Sequence, residues 1–124
     1  MSEQIIDEHA KIALDEIMGS LGDKWNTITD EHKRAAARSA RRLVELEFKK
    51  RTGEDVSDAD IAFVKVTVEG FKLAGEIALY DAFWKGLNKA FEALGSFLVG
   101  AGKSLVPGLG DLLGGIDLGG LISD

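Results

Sequence analysis

The sequence predicts an all-α protein, a helical hairpin or three-helix arrangement with a long third helix and an irregular C-terminal tail rich in glycine and leucine. Two observations carry this prediction. Apolar residues recur at helical spacing as far as about residue 94. After that point, glycines alternate with leucines at a spacing that matches no helix. We therefore divide the 124 residues into a helical domain, 1–94, and a hydrophobic glycine-rich tail, 95–124.

The first predicted helix runs from about Glu3 to Leu21. Its apolar residues are spaced to form one buried stripe between acidic positions, among them Ile6, Ala10, Ala13, Ile17 and Leu21. The sequence GSLGD from Gly19 to Asp23 ends the helix, since glycine is common just after the last helical turn.

The second predicted helix begins after Thr29, whose hydroxyl can accept a hydrogen bond from the first free amides. Acidic residues follow at Asp30 and Glu31, and the basic run 49–51 complements the negative end of the helix dipole. Gly53 ends the helix.

A strongly basic face lies on this second helix. Residues 33–51 carry eight basic and two acidic side chains, although the net charge of the whole chain is −6. We expect this face to be solvated and neutralised by acids of the same chain, or to attract neighbouring copies. An acidic protein or nucleic acid is the alternative partner, with nucleic acid the less favoured because nucleic-acid-binding domains are usually basic overall. The residues assigned to the face are Arg34, Arg38, Arg41 and Arg42.

The third predicted helix starts at Ser57, with Asp60 in the position of a capping-box acid. The acidic turn before it lacks the glycine position and the final glutamate of a calcium loop, so we favour capping over metal binding. The segment 64–68 alternates like a strand but lies within a longer helical pattern, and we predict helix there.

The most informative pattern on the third helix is a ridge of small residues at every fourth position beside a ridge of bulky ones. Small residues in such a row leave a furrow that another helix can approach closely. The helix would extend to about residue 94 and be about 55 Å long, so the two shorter helices of the same chain would leave residues 78–97 uncovered. We therefore predict an oligomer interface formed by Gly70, Ala74, Ala78, Ala82, Phe83, Gly86, Leu87, Ala90 and Phe91. Filling of the furrow by the first two helices of the same chain is the alternative.

The tail is apolar and flexible, and Lys103 is its one charge between residues 93 and 110. Its glycines, Pro107 and central lysine make it a poor membrane span. We expect it to dock on a neighbouring subunit, and insertion into a bilayer is the alternative. The docking residues are Phe97, Leu98, Leu105, Leu109, Leu112, Leu113, Ile116, Leu118 and Leu121.

No pattern in the sequence indicates an enzyme. His9 and His32 have no neighbouring nucleophile or HExxH spacing, and there is no cysteine. The sequence Gly102-Lys103-Ser104 differs from a phosphate-binding loop because Phe97 occupies the position of the required first glycine. We predict no catalytic, metal or cofactor-binding residue.

Residues 83–121 are rich in glycine, leucine and phenylalanine, and they follow charged, alanine-rich helix. This composition resembles that of the hydrophobic stretches of phage tape-measure and ejection proteins. The resemblance implies a small virion component of a tail, neck or capsid that contacts host membrane. The start of the chain lacks the basic and apolar regions of a signal peptide, so we expect synthesis in the cytoplasm. The predicted function is a structural protein that forms homo-oligomers and contacts other assembly proteins.

Overall fold

The fold is a four-helix arrangement, seen in a computed structural model that describes residues 2–102 and residue 109. Helix α1 spans Ser2–Leu21, α2 spans Asp30–Arg51, α3 spans Asp58–Leu73 and α4 spans Ile77–Gly100. A short 3-10 helix, Gly22–Thr27, joins α1 to α2. The described residues contain no strand, and the all-α prediction is confirmed.

The predicted starts of α2 and α3 are confirmed by their caps. The Thr29 hydroxyl accepts a hydrogen bond from the backbone N–H of His32 at 3.2 Å. The Ser57 hydroxyl likewise accepts one from the N–H of Asp60 at 3.3 Å. Each cap satisfies an amide that has no partner within its helix.

The long third helix of the prediction is two helices. The chain leaves α3 at Gly75, which has φ of +84°, a conformation that side chains other than glycine rarely adopt. The N–H of Glu76 donates to the carbonyl of Phe71, and the N–H of Gly75 donates to that of Lys72, at 2.8 and 3.1 Å. This pair of bonds is a Schellman motif, and it redirects the chain into α4.

Helices α1 and α4 form the largest packed pair and run antiparallel. Glu16 pairs with Lys89 at 2.9 Å, and His9 packs its ring edge against Phe97 with 5.8 Å between centroids. Helix α2 packs against all three other helices, and α3 covers the side formed by α2 and α4. Helix α4 also packs against all three other helices, so the core lies between the α1–α4 pair and the two helices that cover it.

The core contains a cluster of aromatic rings where α3 and α4 meet. Phe83 makes edge contacts with Trp84 and Phe71, with centroid distances of 5.1 and 6.3 Å. Trp84 is fully buried, and its indole Nε1 has no hydrogen-bond partner among the residues described. The inner face of α3 is fixed on the bundle by Phe71 and three aliphatic residues, Ile61, Val64 and Val68.

Candidate interaction surface

The outer face of α3 is an apolar surface that no other described part of the chain covers. Phe63 is 70% exposed, Val66 71% and Leu73 88%, and Ile77 at the start of α4 is 56% exposed. On α3 these large side chains alternate with smaller exposed or half-buried residues, Ala59, Ala62 and Gly70. At 100° per residue, all of the α3 positions fall within about 100° of helix surface. They lie opposite the face that packs on the core.

Apolar residues on both faces make α3 unusual for a surface helix, which normally turns polar residues to solvent. Single exposed apolar residues are ordinary, but a contiguous group of large ones indicates an interaction site. This face was not predicted from the sequence. The signal was present in the spacing of its large residues, since Val66 follows Phe63 by three positions and precedes Leu73 by seven.

A groove of about 440 Å³ lies beside this face, between α2 and α3. Phe63 lines its edge and so belongs to both surfaces. The other lining residues are Ala35, Arg38, Ser39, Arg42, Asp60, Val64 and Thr67. The groove therefore combines apolar side chains with two arginines, two hydroxyl groups and the carboxylate of Asp60, which is paired with Arg42.

The four arginines of the predicted basic face have different roles. Arg41 pairs with Asp7 of α1 at 2.8 Å, and Arg42 contacts Glu45 and Asp60 at 2.5 Å each. The hydrogen bond from Arg42 to Glu45 raises the pKa of Arg42 above its usual value, with further support from Asp60, so Arg42 stays charged. Arg34 and Arg38 are exposed and form no ion pair with the residues described. Two of the four thus neutralise acids of the same chain, and two face solvent.

The predicted furrow on the third helix is filled by α1 of the same chain. A Cβ atom on Gly86 would lie 2.5 Å from the carbonyl oxygen of Ala13 and 2.7 Å from a side-chain carbon of Ile17. The positions of the predicted interface that lie inside the core are Ala82, Phe83, Gly86, Leu87, Ala90 and Phe91. A second chain could reach Gly86 only by displacing α1.

The remaining three residues of that predicted interface lie near the break between α3 and α4. Ala74 and Ala78 are exposed, and Gly70 is half-buried. No atom lies within 4 Å of the position that a Cβ atom on Gly70 would occupy, so the space beside it is open. The ridge of small residues is therefore divided between an intrachain contact on α4 and an open surface on α3. Sequence periodicity did not reveal this division because the repeat of four passes across Gly75 without interruption.

The described part of the predicted tail belongs to the bundle. Helix α4 continues through residue 100, so the predicted division at residue 94 falls inside a helix. Leu98 and Leu109 are fully buried, whereas Phe97 is 42% exposed. The other predicted docking residues lie outside the described part of the chain: Leu105, Leu112, Leu113, Ile116, Leu118 and Leu121.

Glu47 holds Leu109 in the core. This carboxylate is 1% exposed, accepts a hydrogen bond from the backbone N–H of Leu109 at 2.6 Å, and forms an ion pair with Arg51. Arg51 also lies against Gly95, where a Cβ atom would meet its guanidinium group. A buried carboxylate is tolerated because both its charge and its hydrogen-bonding capacity are matched.

The two histidines have structural contacts. His9 is buried, and its Nδ1 lies 2.8 Å from the carbonyl oxygen of Ile5. His32 contacts the Glu76 carboxylate and packs its ring edge on Phe71, linking the start of α2 to the α3–α4 junction. Within residues 2–102 and 109, no three acidic or histidine side chains are grouped so as to hold a metal ion.

Among the described helices, none has the length and apolar character needed to span a bilayer.

No protein-family model matches the chain, and searches of curated proteins and of solved structures found no match either.

Proposed function

We propose that this protein is a non-enzymatic assembly subunit that self-associates through the outer face of α3. The observation that supports the proposal is the group of large apolar side chains, Phe63, Val66, Leu73 and Ile77, that the chain leaves in contact with solvent. Keeping such a group exposed costs free energy that contact with another apolar surface recovers.

The size of the face suits a contact between copies. Its four large side chains present about 500 Å² of accessible surface, if a fully exposed side chain of this kind has roughly 150–200 Å². That is near the upper end for an apolar patch on a monomer, where such patches are often functional.

This proposal keeps the predicted self-association and moves its surface. Gly70 and Ala74 belong both to the interface predicted from the sequence and to the region of the outer face. Six α4 residues of that predicted interface are buried in the core of each subunit, where Gly86 meets α1.

Sedimentation velocity on three full-length proteins tests the proposal. The wild-type chain is expected to sediment as an oligomer at micromolar concentration, and Val66→Glu as a monomer. Val99→Glu is the matched control, because Val99 is 62% exposed at the end of α4, away from the outer face of α3. A Val66→Glu protein that associates like the wild type would contradict the proposal.

A second candidate function, favoured by the groove between α2 and α3, is the capture of an acidic apolar segment. Arg38 lines this groove and faces solvent, and Arg34 lies one turn before it on α2. The tail of a neighbouring subunit has the matching chemistry, since residues 110–124 contain three aspartates, several leucines and no basic residue. Such a contact would be weakened by salt.

Fluorescence anisotropy with a labelled peptide of residues 110–124 tests this second candidate. Binding to the full-length protein is expected to weaken with salt and with Arg38→Glu. The matched control is Lys24→Glu, which changes an exposed cation at a distance from the groove lining. Equal binding by the wild type and Arg38→Glu would contradict the assignment.

Contact with a membrane and incorporation into a phage virion stay predictions. Both are supported only by the composition of the last third of the chain. Membrane contact can be measured by flotation with liposomes, in which the full-length protein is compared with a chain ending at Gly102. Contact with other assembly proteins depends on the same exposed surfaces.

A further inference from the structure

We propose that the partner of the outer face of α3 is the same face of a second copy, paired antiparallel about a two-fold axis close to Val66. This inference rests on the proposed self-association and specifies its orientation and register. It follows from the order in which large and small residues occur along α3 and from the distribution of charge at the two ends of that helix.

The large and small side chains of the face are complementary when one copy is reversed. With a two-fold axis near Val66, a residue before Val66 in one copy faces a residue of the other copy that lies about the same number of positions after Val66. Phe63 then lies over Gly70 of the second copy, where no atom of this chain occupies the space beside the Cα atom. Leu73 lies over the small residues Ala59 and Ala62 of the second copy.

The angular positions of these side chains around the axis of α3 also agree with antiparallel pairing. Phe63 and Gly70 lie toward one side of the outer face, and Leu73 and Ala62 toward the other, at 100° per residue. In an antiparallel two-fold pair, each side of one helix meets the same side of its partner. Both matches of large with small residues are therefore made in one arrangement, as in ridges-into-grooves packing.

Charge favours the same orientation. Exposed Asp58 lies in the first turn of α3, next to the acidic segment 54–55, whereas exposed Lys72 lies in the last turn. Antiparallel pairing brings the acidic end of each helix toward Lys72 of the other copy and also opposes the two helix dipoles. Parallel pairing would place Asp58 beside Asp58 and Leu73 beside Leu73, so that large side chains and like charges would meet.

Because the chain contains no cysteine, disulfide formation between introduced cysteines can measure this orientation directly. Full-length Ala59→Cys carrying an affinity tag is mixed with untagged full-length Leu73→Cys and oxidised with copper phenanthroline. Both positions are exposed, so both variants should keep the wild-type circular dichroism spectrum. Val99→Cys, exposed on α4, measures disulfide formation by random collision.

Antiparallel pairing predicts that the mixed Ala59→Cys and Leu73→Cys disulfide exceeds either homodimeric disulfide at least tenfold. Identical cysteines would lie about 20 Å apart in this arrangement, given 1.5 Å of rise per residue. Predominant Leu73→Cys homodimers would overturn the proposal in favour of parallel pairing. An oligomer by sedimentation that forms no mixed disulfide above the Val99→Cys level would overturn it while leaving self-association intact. A wild-type monomer would refute both proposals.

Discussion

Gly86 of α4 lies so close to Ala13 of α1 that a Cβ atom on Gly86 would be 2.5 Å from the Ala13 carbonyl oxygen. Backbone therefore meets backbone at this crossing, and side chains of neighbouring turns close around it. The contact explains why a small residue occurs at this position of the α4 ridge. It also assigns the ridge to the fold of a single subunit.

Gly86→Ala should destabilise the protein by about 1–3 kcal/mol, because a backbone atom must move to admit the methyl group. Urea denaturation monitored by circular dichroism measures the change. Gly19→Ala is the matched control, since Gly19 lies in α1 with no atom within 4 Å of the new methyl group. The control should gain about 0.5–1 kcal/mol from the lower backbone entropy of its unfolded state. Equal effects of the two substitutions would show that α1 does not pack closely on Gly86.

Glu47→Ala should destabilise the bundle by about 3 kcal/mol, because Arg51 loses its buried partner and the Leu109 amide loses its acceptor. Hydrogen exchange gives a local readout, since the Leu109 amide should be protected in the wild type and exchange much faster in the variant. Glu45→Ala is the control: it removes a partly exposed carboxylate from the same helix and leaves Leu109 untouched. Unchanged exchange at Leu109 in Glu47→Ala would be inconsistent with the observed contact.

The hydrogen bond from Lys89 lowers the pKa of Glu16, and Lys85 adds a smaller attraction. A carboxyl group with a lowered pKa in the folded state adds stability at neutral pH, and that stability is lost as pH falls through the folded-state pKa. The wild type should therefore exceed Lys89→Met in stability at pH 7, and the difference should disappear on acidification from roughly pH 5 to pH 3. Because both side chains are partly exposed, the difference is small.

An NMR titration of the Glu16 side chain measures the effect directly. Its pKa should rise toward the ordinary glutamate value in Lys89→Met. Lys65→Met provides a control, as Lys65 lies on α3 and does not contribute to the lowered pKa of Glu16. An identical Glu16 titration in the wild type and Lys89→Met would contradict the assigned cause.

Gly75→Ala should destabilise the junction of α3 and α4 by about 1–2 kcal/mol, because a Cβ atom is strained at φ of +84°. Gly75→Asn should lose less, since asparagine tolerates the left-handed conformation better than alanine. Thermal unfolding of the two variants supplies the comparison. If alanine proves as stable as glycine, the break between the two helices is not held by this conformation.

The caps of α2 and α3 and the end of α2 could be predicted from sequence because they depend on neighbouring residues: Thr29 and Ser57 cap their own helices, and Gly53 follows the end of α2. The break at Gly75 was missed, although the same signal occurs there as at the end of α2. Gly75 is followed by Glu76, just as Gly53 is followed by Glu54. Both glycines form the same Schellman motif. Because the four-residue repeat of small side chains continues across Gly75, we predicted one continuous helix there.

The placement of side chains from distant parts of the chain could not be predicted in the same way. Periodicity identified a close approach at Gly86, but it could not identify α1 as the helix that approaches, since this depends on the whole bundle. The burial of Glu47 with Leu109 joins residues 62 positions apart. The exposed face of α3 was not predicted, because the exposure of Phe63, Val66 and Leu73 depends on which side of α3 packs on the rest of the bundle.

Self-association through the outer face of α3 can be measured by sedimentation equilibrium of the unmodified full-length protein over a wide concentration range, with Val66→Glu run beside it. We expect the wild-type mass to rise with concentration from 13.3 kDa to twice that value, while Val66→Glu stays at the lower mass. A wild-type chain that remains at 13.3 kDa up to the highest concentration, or a Val66→Glu protein that doubles its mass equally well, would contradict it.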